Sequence, residues 1–416
     1  MVLTNFSSHA VSATLTTVGT PPNAAPESGS TAGTNALTSQ RVTVPPGGQV
    51  DVPPSQLGQA GALAASVVLD GGGVGVSEVV SSPLGWSMTP CASSTAPQWY
   101  FAHGATSQGG GLVLSLFNPG STDAAVNIAL ATSTAGYLVP PAFQGVAVPA
   151  HALVTENIGD HVADDSTVAT VISTLSGTVV AAELQSVGRP GSGGVAVTLG
   201  AASPSPQWTF AQNTNVTGGK VAFHVFNPST RATTVSISIG LPQGAGAEPL
   251  SLSVPGQSVA TLEAENETRI PANTPYAATF TSAGAPIVVA RQLTSPSGAP
   301  ASEPAVGDAH GVAGGRSHWL VPAVAPPGNG AWAFAVVDLG RRPAKVRVAN
   351  AQGGVLAGQS VQVVRPGTPL FIGPNPGAPF GTVPFRLDAD QPVAVELDAV
   401  PVASPGVVVV PALASG

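Results

Sequence analysis

Three times in this chain a tryptophan is followed, 19 residues later, by a turn residue that closes an apolar strand. The pairs are Trp99 with Asn118, Trp208 with Asn227 and Trp319 with Asp338. Each Trp lies in a short apolar cluster: Gln98-Trp99-Tyr100-Phe101, Gln207-Trp208-Thr209-Phe210 and His318-Trp319-Leu320-Val321. Each turn ends a similar run: Leu116-Phe117-Asn118-Pro119, Val225-Phe226-Asn227-Pro228 and Val336-Val337-Asp338-Leu339. Three equal spacings make these segments copies of one structural unit.

After each turn, apolar and polar residues alternate, the signature of a strand with one buried face. Val126, Ile128 and Leu130 alternate in this way, as do Val235, Ile237 and Ile239, and Val346 with Val348. A Val-Pro marker follows at Val148-Pro149 and Val254-Pro255, with Val364-Arg365-Pro366 as its looser counterpart. A charged residue then interrupts an apolar strand: Glu183, Arg291 and Glu396. The N-terminal segment fits the same frame through Asn5, Val44-Pro45 and Glu78, with a Pro/Gly/Ser/Thr-rich insertion over residues 20–39 that reads as a mobile loop. It has no Trp-bearing strand ahead of Asn5. Val407–Val410 is one candidate to fill that vacant edge.

The expected fold is all-β: a tandem array of four divergent immunoglobulin-like or fibronectin-like β-sandwich repeats of about 110 residues, the first lacking its N-terminal strand. The expected domains are 1–88, 89–200, 201–308 and 309–416, joined through Pro/Ser/Ala/Gly-rich stretches at 81–97, 188–206 and 294–317. The 50 Gly and 41 Pro residues oppose long helices. Short joints predict a semi-rigid rod or compact array.

Charge excludes one class of partner. Lys and Arg number 13 against 21 Asp and Glu, a net charge of −8, and lysine occurs only at Lys220 and Lys345. Such a chain lacks the cations that neutralise phosphates, so nucleic acid is not an expected partner. One cysteine, Cys91, permits no internal disulfide and reads as a buried thiol. No apolar stretch is long enough to span a bilayer, and no leader opens the sequence. An export signal or anchor is expected upstream of Met1.

Catalytic signatures are missing from the sequence: there is no Gly-x-Ser-x-Gly, His-Glu-x-x-His, Ser-x-x-Lys or phosphate-binding glycine loop. The seven histidines show no metal-ligand spacing, and no cofactor is expected. Asp160, Asp164 and Asp165 form the densest acidic segment, a weak candidate for Ca²⁺ because hard cations take oxygen ligands. The competing reading is a solvated loop whose Asp side chains cap turns. Glu78, Glu183, Arg291 and Glu396 stand at matched places. They are expected to point outward or to protect an edge strand, the alternative being a polar binding stripe. Trp99, Trp208 and Trp319 read as core plugs, with glycan stacking as the alternative.

Pro90-Cys91, Gln98-Trp99-Tyr100-Phe101 and Leu116-Phe117-Asn118-Pro119-Gly120, with the lysine-poor Ala/Gly/Pro/Val composition, resemble an uncharacterised family of tandem β-sandwich proteins. That family is secreted or membrane-anchored and comes from high-GC Gram-positive bacteria. The resemblance implies an envelope location and carries no site residues. The expected function is a non-enzymatic cell-envelope or secreted structural protein presenting β-sandwich surfaces to a protein or glycan partner. The alternatives are a glycan-binding array beside cell-wall polymer synthesis and, more remotely, an unrecognised hydrolase.

Overall fold

A computed structural model describes residues 1–19, 31–33, 38–53, 62–107, 110–189, 192–215, 219–242, 247–295, 305–323, 331–351, 361–372, 384–400, 408–411 and 413–414. Among them the regular structure is β-strand with three short 3₁₀ turns, and every pair of strands is antiparallel. No helix of the described residues is long and apolar enough to cross a membrane.

The sheets gather around four apolar cores. In the first system, Gln49–Asp51, Val2–Asn5, Val74–Ser82 and Gly85–Pro90 form one sheet, and Thr38–Val44, Val11–Gly19 and Leu63–Leu69 the other. Leu3, Ala13, Leu15, Val44 and Val52 fill the space between them. In the second, Gly111–Asn118 lies between Ala152–Asn157 and Val180–Arg189, facing a sheet that holds Ala124–Thr132, Val168–Ser176 and Gln98–Phe101. The third repeats this plan, with Lys220–Asn227 between Ser258–Glu263 and Val288–Ser295. The fourth is one eight-stranded sheet. Its long strand Phe385–Val400 pairs first with Arg316–Val321 and Ala344–Asn350, then with Ala331–Asp338.

The turn residues located by spacing explain why the chain closes in the same way each time. The Asn118 side-chain amide donates to Thr122 O at 2.8 Å and Val148 O at 3.0 Å, while its oxygen accepts from Gly120 N at 2.9 Å. Asn227 repeats this with Arg231 O, Val254 O and Ser229 N, and Asn5 with His9 O, Val44 O and Ser7 N. One planar amide thus ties a turn to the valine of the Val-Pro marker across the sandwich, which only a side chain with both donors and an acceptor can do. Asp338 has no donor. It accepts from Gly340 N at 2.7 Å and Ala344 N at 3.1 Å instead. All four side chains are buried.

The stretches expected to be linkers are strands. Gly85–Pro90, Ser192–Leu199 and Ala305–His310 fall within the three joints, and each pairs with the charge-bearing strand before it. Gly85–Pro90 and Ala305–His310 also run across the expected junctions at 88/89 and 308/309. With Val408–Pro411 they form a closed circuit. Gly85–Pro90 packs beside Ser192–Leu199, which packs beside Ala305–His310, which meets Val408–Pro411, which returns to Gly85–Pro90. Val197 N donates to Ser87 Oγ and Leu199 N to Thr89 Oγ1, while Thr198 Oγ1 donates to Asp308 O. Small residues are required here because strands approach closely on both faces. A Cβ at Gly200 would lie 2.9 Å from the Phe101 ring, and one at Gly311 would lie 3.0 Å from Phe210.

Two other expectations are corrected. Thr31–Gly33, inside the insertion read as a mobile loop, is a strand that extends the second system's sheet along Ala152–Asn157. Residues 20–30 and 34–37 of that insertion lie outside the described residues. Val408–Pro411 pairs with Phe385–Val400 through Glu396–Ala399, and among the described residues it pairs with no strand of the first system.

The amide clamp makes a direct prediction. Asn118→Ala and Asn227→Ala leave buried carbonyls and amides unpaired, and each is expected to destabilise the protein by about 2–4 kcal/mol. Urea unfolding measures this as a lower midpoint at unchanged slope. A loss below about 0.5 kcal/mol in both variants, the range of ordinary surface changes, contradicts the clamp.

Candidate functional site

The charged strand positions face inward. Residues directly opposite in a sheet share a face, and Glu183 stands opposite Leu114 while Arg291 stands opposite Phe223. Leu114 and Phe223 are core residues, so both charges point into their sandwiches. The expectation that they face solvent is therefore corrected. Glu183 is 3% exposed and Arg291 0%; Glu78 is half-buried.

Register also corrects the matching of the fourth position. Glu78, Glu183 and Arg291 lie on the strand opposite the clamp residue, at the same offset from it. In the fourth system that offset falls on Leu397, opposite Phe334, and Glu396 is one residue away, opposite Ala335. A single residue reverses the face. Glu396 therefore leaves its own core, where Leu397 packs, and faces the third system beside Ala335 and Val337.

There it meets Arg291. The guanidinium Nη2 lies 2.6 Å from Glu396 Oε1 and 3.1 Å from Asp398 Oδ1. Its Nη1 donates to Asn213 Oδ1 at 2.8 Å and to Gln212 O. Its carbon sits 5.6 Å from the centre of the Phe210 ring. Glu396 Oε2 in turn accepts from Ala211 N at 2.6 Å and Gln212 N at 3.1 Å. Burial raises the Asp398 carboxyl well above the usual carboxylate range, with Arg291 opposing and Glu396 reinforcing the shift. The cluster so holds a cation between two acids across the contact between the third and fourth systems.

A second polar cluster joins the second and third systems. His103 Nδ1 pairs with Asp308 Oδ2, both side chains being nearly inaccessible. The His103 ring stacks on His224 at 3.8 Å between centroids. Burial, and then the charge of His103, holds His224 well below the usual imidazole range, so that it is neutral. Glu183 accepts from Thr170 Oγ1 at 3.0 Å. Burial raises it well above the usual value against that hydrogen bond, and the Asp308 charge adds to the rise. Beside this cluster lies a cavity of about 190 Å³ lined by Thr89, Val197, Leu199, Trp208, Asp308 and His310.

The tryptophans are buried at 3%, 3% and 4% exposure. Each indole N–H donates to a matched backbone carbonyl: Val179 O at 2.8 Å, Ile287 O at 2.7 Å and Val393 O at 3.0 Å. No ring face is open to a sugar. Of the acidic segment, Asp165 caps a turn, accepting from Ser133 and Thr134 through both amides and hydroxyls and from Thr167 N. Burial alone would raise this carboxyl, yet those donors outweigh it and hold it at about 2. Asp160 accepts from Asn157 Nδ2, and Asp164 is an exposed residue at positive φ. Among the described residues no group of three or more His, Cys, Asp or Glu side chains is placed to hold a metal. Cys91 is a free thiol pushed up to about 12 by burial and then by Glu78, so it is protonated.

Sequence reasoning missed His103, Asp308 and His224 as a group, since 205 residues separate the paired members and no local pattern links them. Asp398 carried a signal. It follows Glu396 by two residues on the same face, and two acids side by side in an apolar strand ask for a cation.

Residues 84–372 match the model of a family of unknown function. No curated protein matches the sequence. Among solved structures, Thermotoga maritima 1070 is 13% identical over 26% of this chain and 95% of that chain, with a TM-score of 0.23. The Anabaena sensory rhodopsin transducer is 21% identical over 21% of this chain and 94% of that chain, with a TM-score of 0.19. At these scores neither likeness bears on architecture or function.

Glu183 makes the cluster pH-dependent in a defined direction. Its folded pKa lies above its ordinary value of 4.5. Its contribution to stability is therefore fully present below that value and declines as the pH rises past it. Glu183→Gln, which mimics the protonated acid, is expected to match the parent near pH 4 and to melt several degrees higher at pH 7. Equal melting temperatures at both pH values contradict a Glu183 carboxyl raised by burial.

Proposed function

The chain belongs to DUF5719, a family of unknown function, and from that premise we propose that it is a non-enzymatic structural or interaction protein of the cell envelope or exterior. In this reading the chain is four divergent, immunoglobulin-like sandwich repeats. The first lacks its Trp-bearing strand, and the four are drawn into one body that offers its outer surfaces to a protein partner. One observation carries the proposal: the groups that could do chemistry are used to hold the sheet systems together. Arg291, Glu396 and Asp398 fasten the third to the fourth, while His103 and Asp308 fasten the second to the third. A surface carried by Ser, Thr, Asn and Gln rather than lysine suits an exported β-protein.

The glycan-binding alternative loses its support with the burial of Trp99, Trp208 and Trp319, because stacking on a sugar needs an open ring face. Fractionation of cells producing the native protein, followed by chemical cross-linking in place, tests the proposal. The expected result is recovery in the envelope or medium, with cross-links to protein. Recovery in the cytoplasm, or retention on purified cell-wall glycan abolished by substituting one tryptophan, contradicts it.

A further inference from the structure

The strands of the closed circuit match one another residue for residue. Glu78, Glu183 and Arg291 stand opposite Thr89, Thr198 and Ala309, and Leu397, at the same offset in the fourth system, stands opposite Val410. The residues one place further on are therefore equivalent: Pro90, Leu199, His310 and Pro411. So are those one place before: Met88, Val197, Asp308 and Val409. Three systems carry apolar residues at both places, and the third carries Asp308 and His310. Polar groups are not needed there to build the circuit, since its other three strands form without them.

Both polar residues line the cavity of about 190 Å³, beside their counterparts Pro90, Val197 and Leu199. Asp308 is accounted for by its pair with His103. His310 is not. Its Nδ1 lies 3.2 Å from Leu199 O, and a carbonyl only accepts, so Nδ1 carries the hydrogen. Burial lowers the ring below the usual imidazole range, with Asp308 and the Leu199 carbonyl opposing, so the ring is neutral at pH 7. Nε2 is then an acceptor, and it is buried without a partner. An orphaned buried acceptor costs free energy that a leucine at this place would not. The ring is held between two others, 6.1 Å from the centre of Phe101 and 6.0 Å from that of Trp208.

We propose that this cavity binds a small, uncharged, mostly apolar molecule of about the size of phenol, whose single hydroxyl donates to His310 Nε2. Size sets the first limit: an apolar cavity of about 150 Å³ takes benzene, so about 190 Å³ admits a ring with one substituent and no peptide segment. The walls set the second, because Pro90, Val197, Leu199 and the Trp208 ring suit an apolar body. Ligand sites of this kind combine apolar walls with a few polar groups that fix orientation. The Asp308 carboxylate disfavours an anion. Water is a poor occupant, since buried waters make about three hydrogen bonds, and among the lining side chains His310 alone has a buried polar atom without a partner. The cavity is half-open rather than sealed, which gives a ligand a way in.

The test uses the full chain with phenol and toluene, which share a ring and differ in the hydroxyl. Ligand-observed NMR titration reads their dissociation constants for the parent, for His310→Leu, which carries the second system's residue, and for Val197→Phe, which fills the cavity. Phenol is expected to bind the parent with a constant of about 1 mM or lower, at least about tenfold tighter than toluene. In His310→Leu that preference is expected to fall to about twofold or less with toluene still bound, and Val197→Phe is expected to bind neither. Four results overturn the inference: no binding of either probe by the parent, equal binding of both, a preference that survives His310→Leu, or phenol binding by a folded Val197→Phe. The parent's choice between the two probes decides the matter even where a variant fails to fold. Each outcome leaves the envelope location, which fractionation reads separately, untouched.

Discussion

Four strands, one from each sheet system, pack beside one another in a closed circuit, and the rest of the molecule is arranged by that contact. Gly85–Pro90, Ser192–Leu199, Ala305–His310 and Val408–Pro411 are each the hairpin partner of a strand in their own system. Gly85–Pro90 shows what such a strand does: Trp86 and Met88 pack into the fourth system's core, while Ser87 and Thr89 hold Val197 and Leu199 of the second. Both faces are then removed from water, which demands small or apolar side chains and satisfied backbone groups. Gly200 and Gly311 lie against the Phe101 and Phe210 rings for that reason.

Burying the circuit also buries charge. Arg291 and Glu183 sit at the same register position, and at each the chain places a partner from elsewhere: Glu396 and Asp398 for the arginine, Thr170 for the glutamic acid. An isolated buried charge is costly, so each is either paired or neutralised by a raised pKa. The opposite sign of Arg291 beside Glu78 and Glu183 at the matched positions follows from this. Its place adjoins two acids of the fourth system, whereas Glu183 is buried with Asp308 nearby, and both effects raise its carboxyl.

Much of this was legible in the residues. The 19-residue spacing located the clamp asparagines, and period-2 alternation found the strands after them, because both depend on local geometry. The register of Glu396 was not legible. A face is decided by pairing with Ala331–Asp338, and no pattern within the strand separates Glu396 from Leu397 as the matched position. The joints were misread for a related reason. Gly, Ala, Ser and Thr mark loops in a chain with solvent on one side, yet the same residues are needed where strand packs on strand. His103 and Asp308 meet only because the second and third systems touch, a contact with no trace in local sequence. Ala129, Ala131 and Ala169 of the second system belong to the third system's core for the same reason.

The central claim is that the four sheet systems form one body whose cohesion passes through the circuit and its buried ion cluster. Scanning calorimetry of the parent chain and of Arg291→Met tests it most directly, since removing one partner of a buried pair costs about 3–5 kcal/mol. The account predicts a single transition for the parent, with calorimetric and van't Hoff enthalpies in agreement. For Arg291→Met it predicts a lower, divided transition as the third and fourth systems uncouple. Several independent transitions in the parent, left unchanged by Arg291→Met, contradict it.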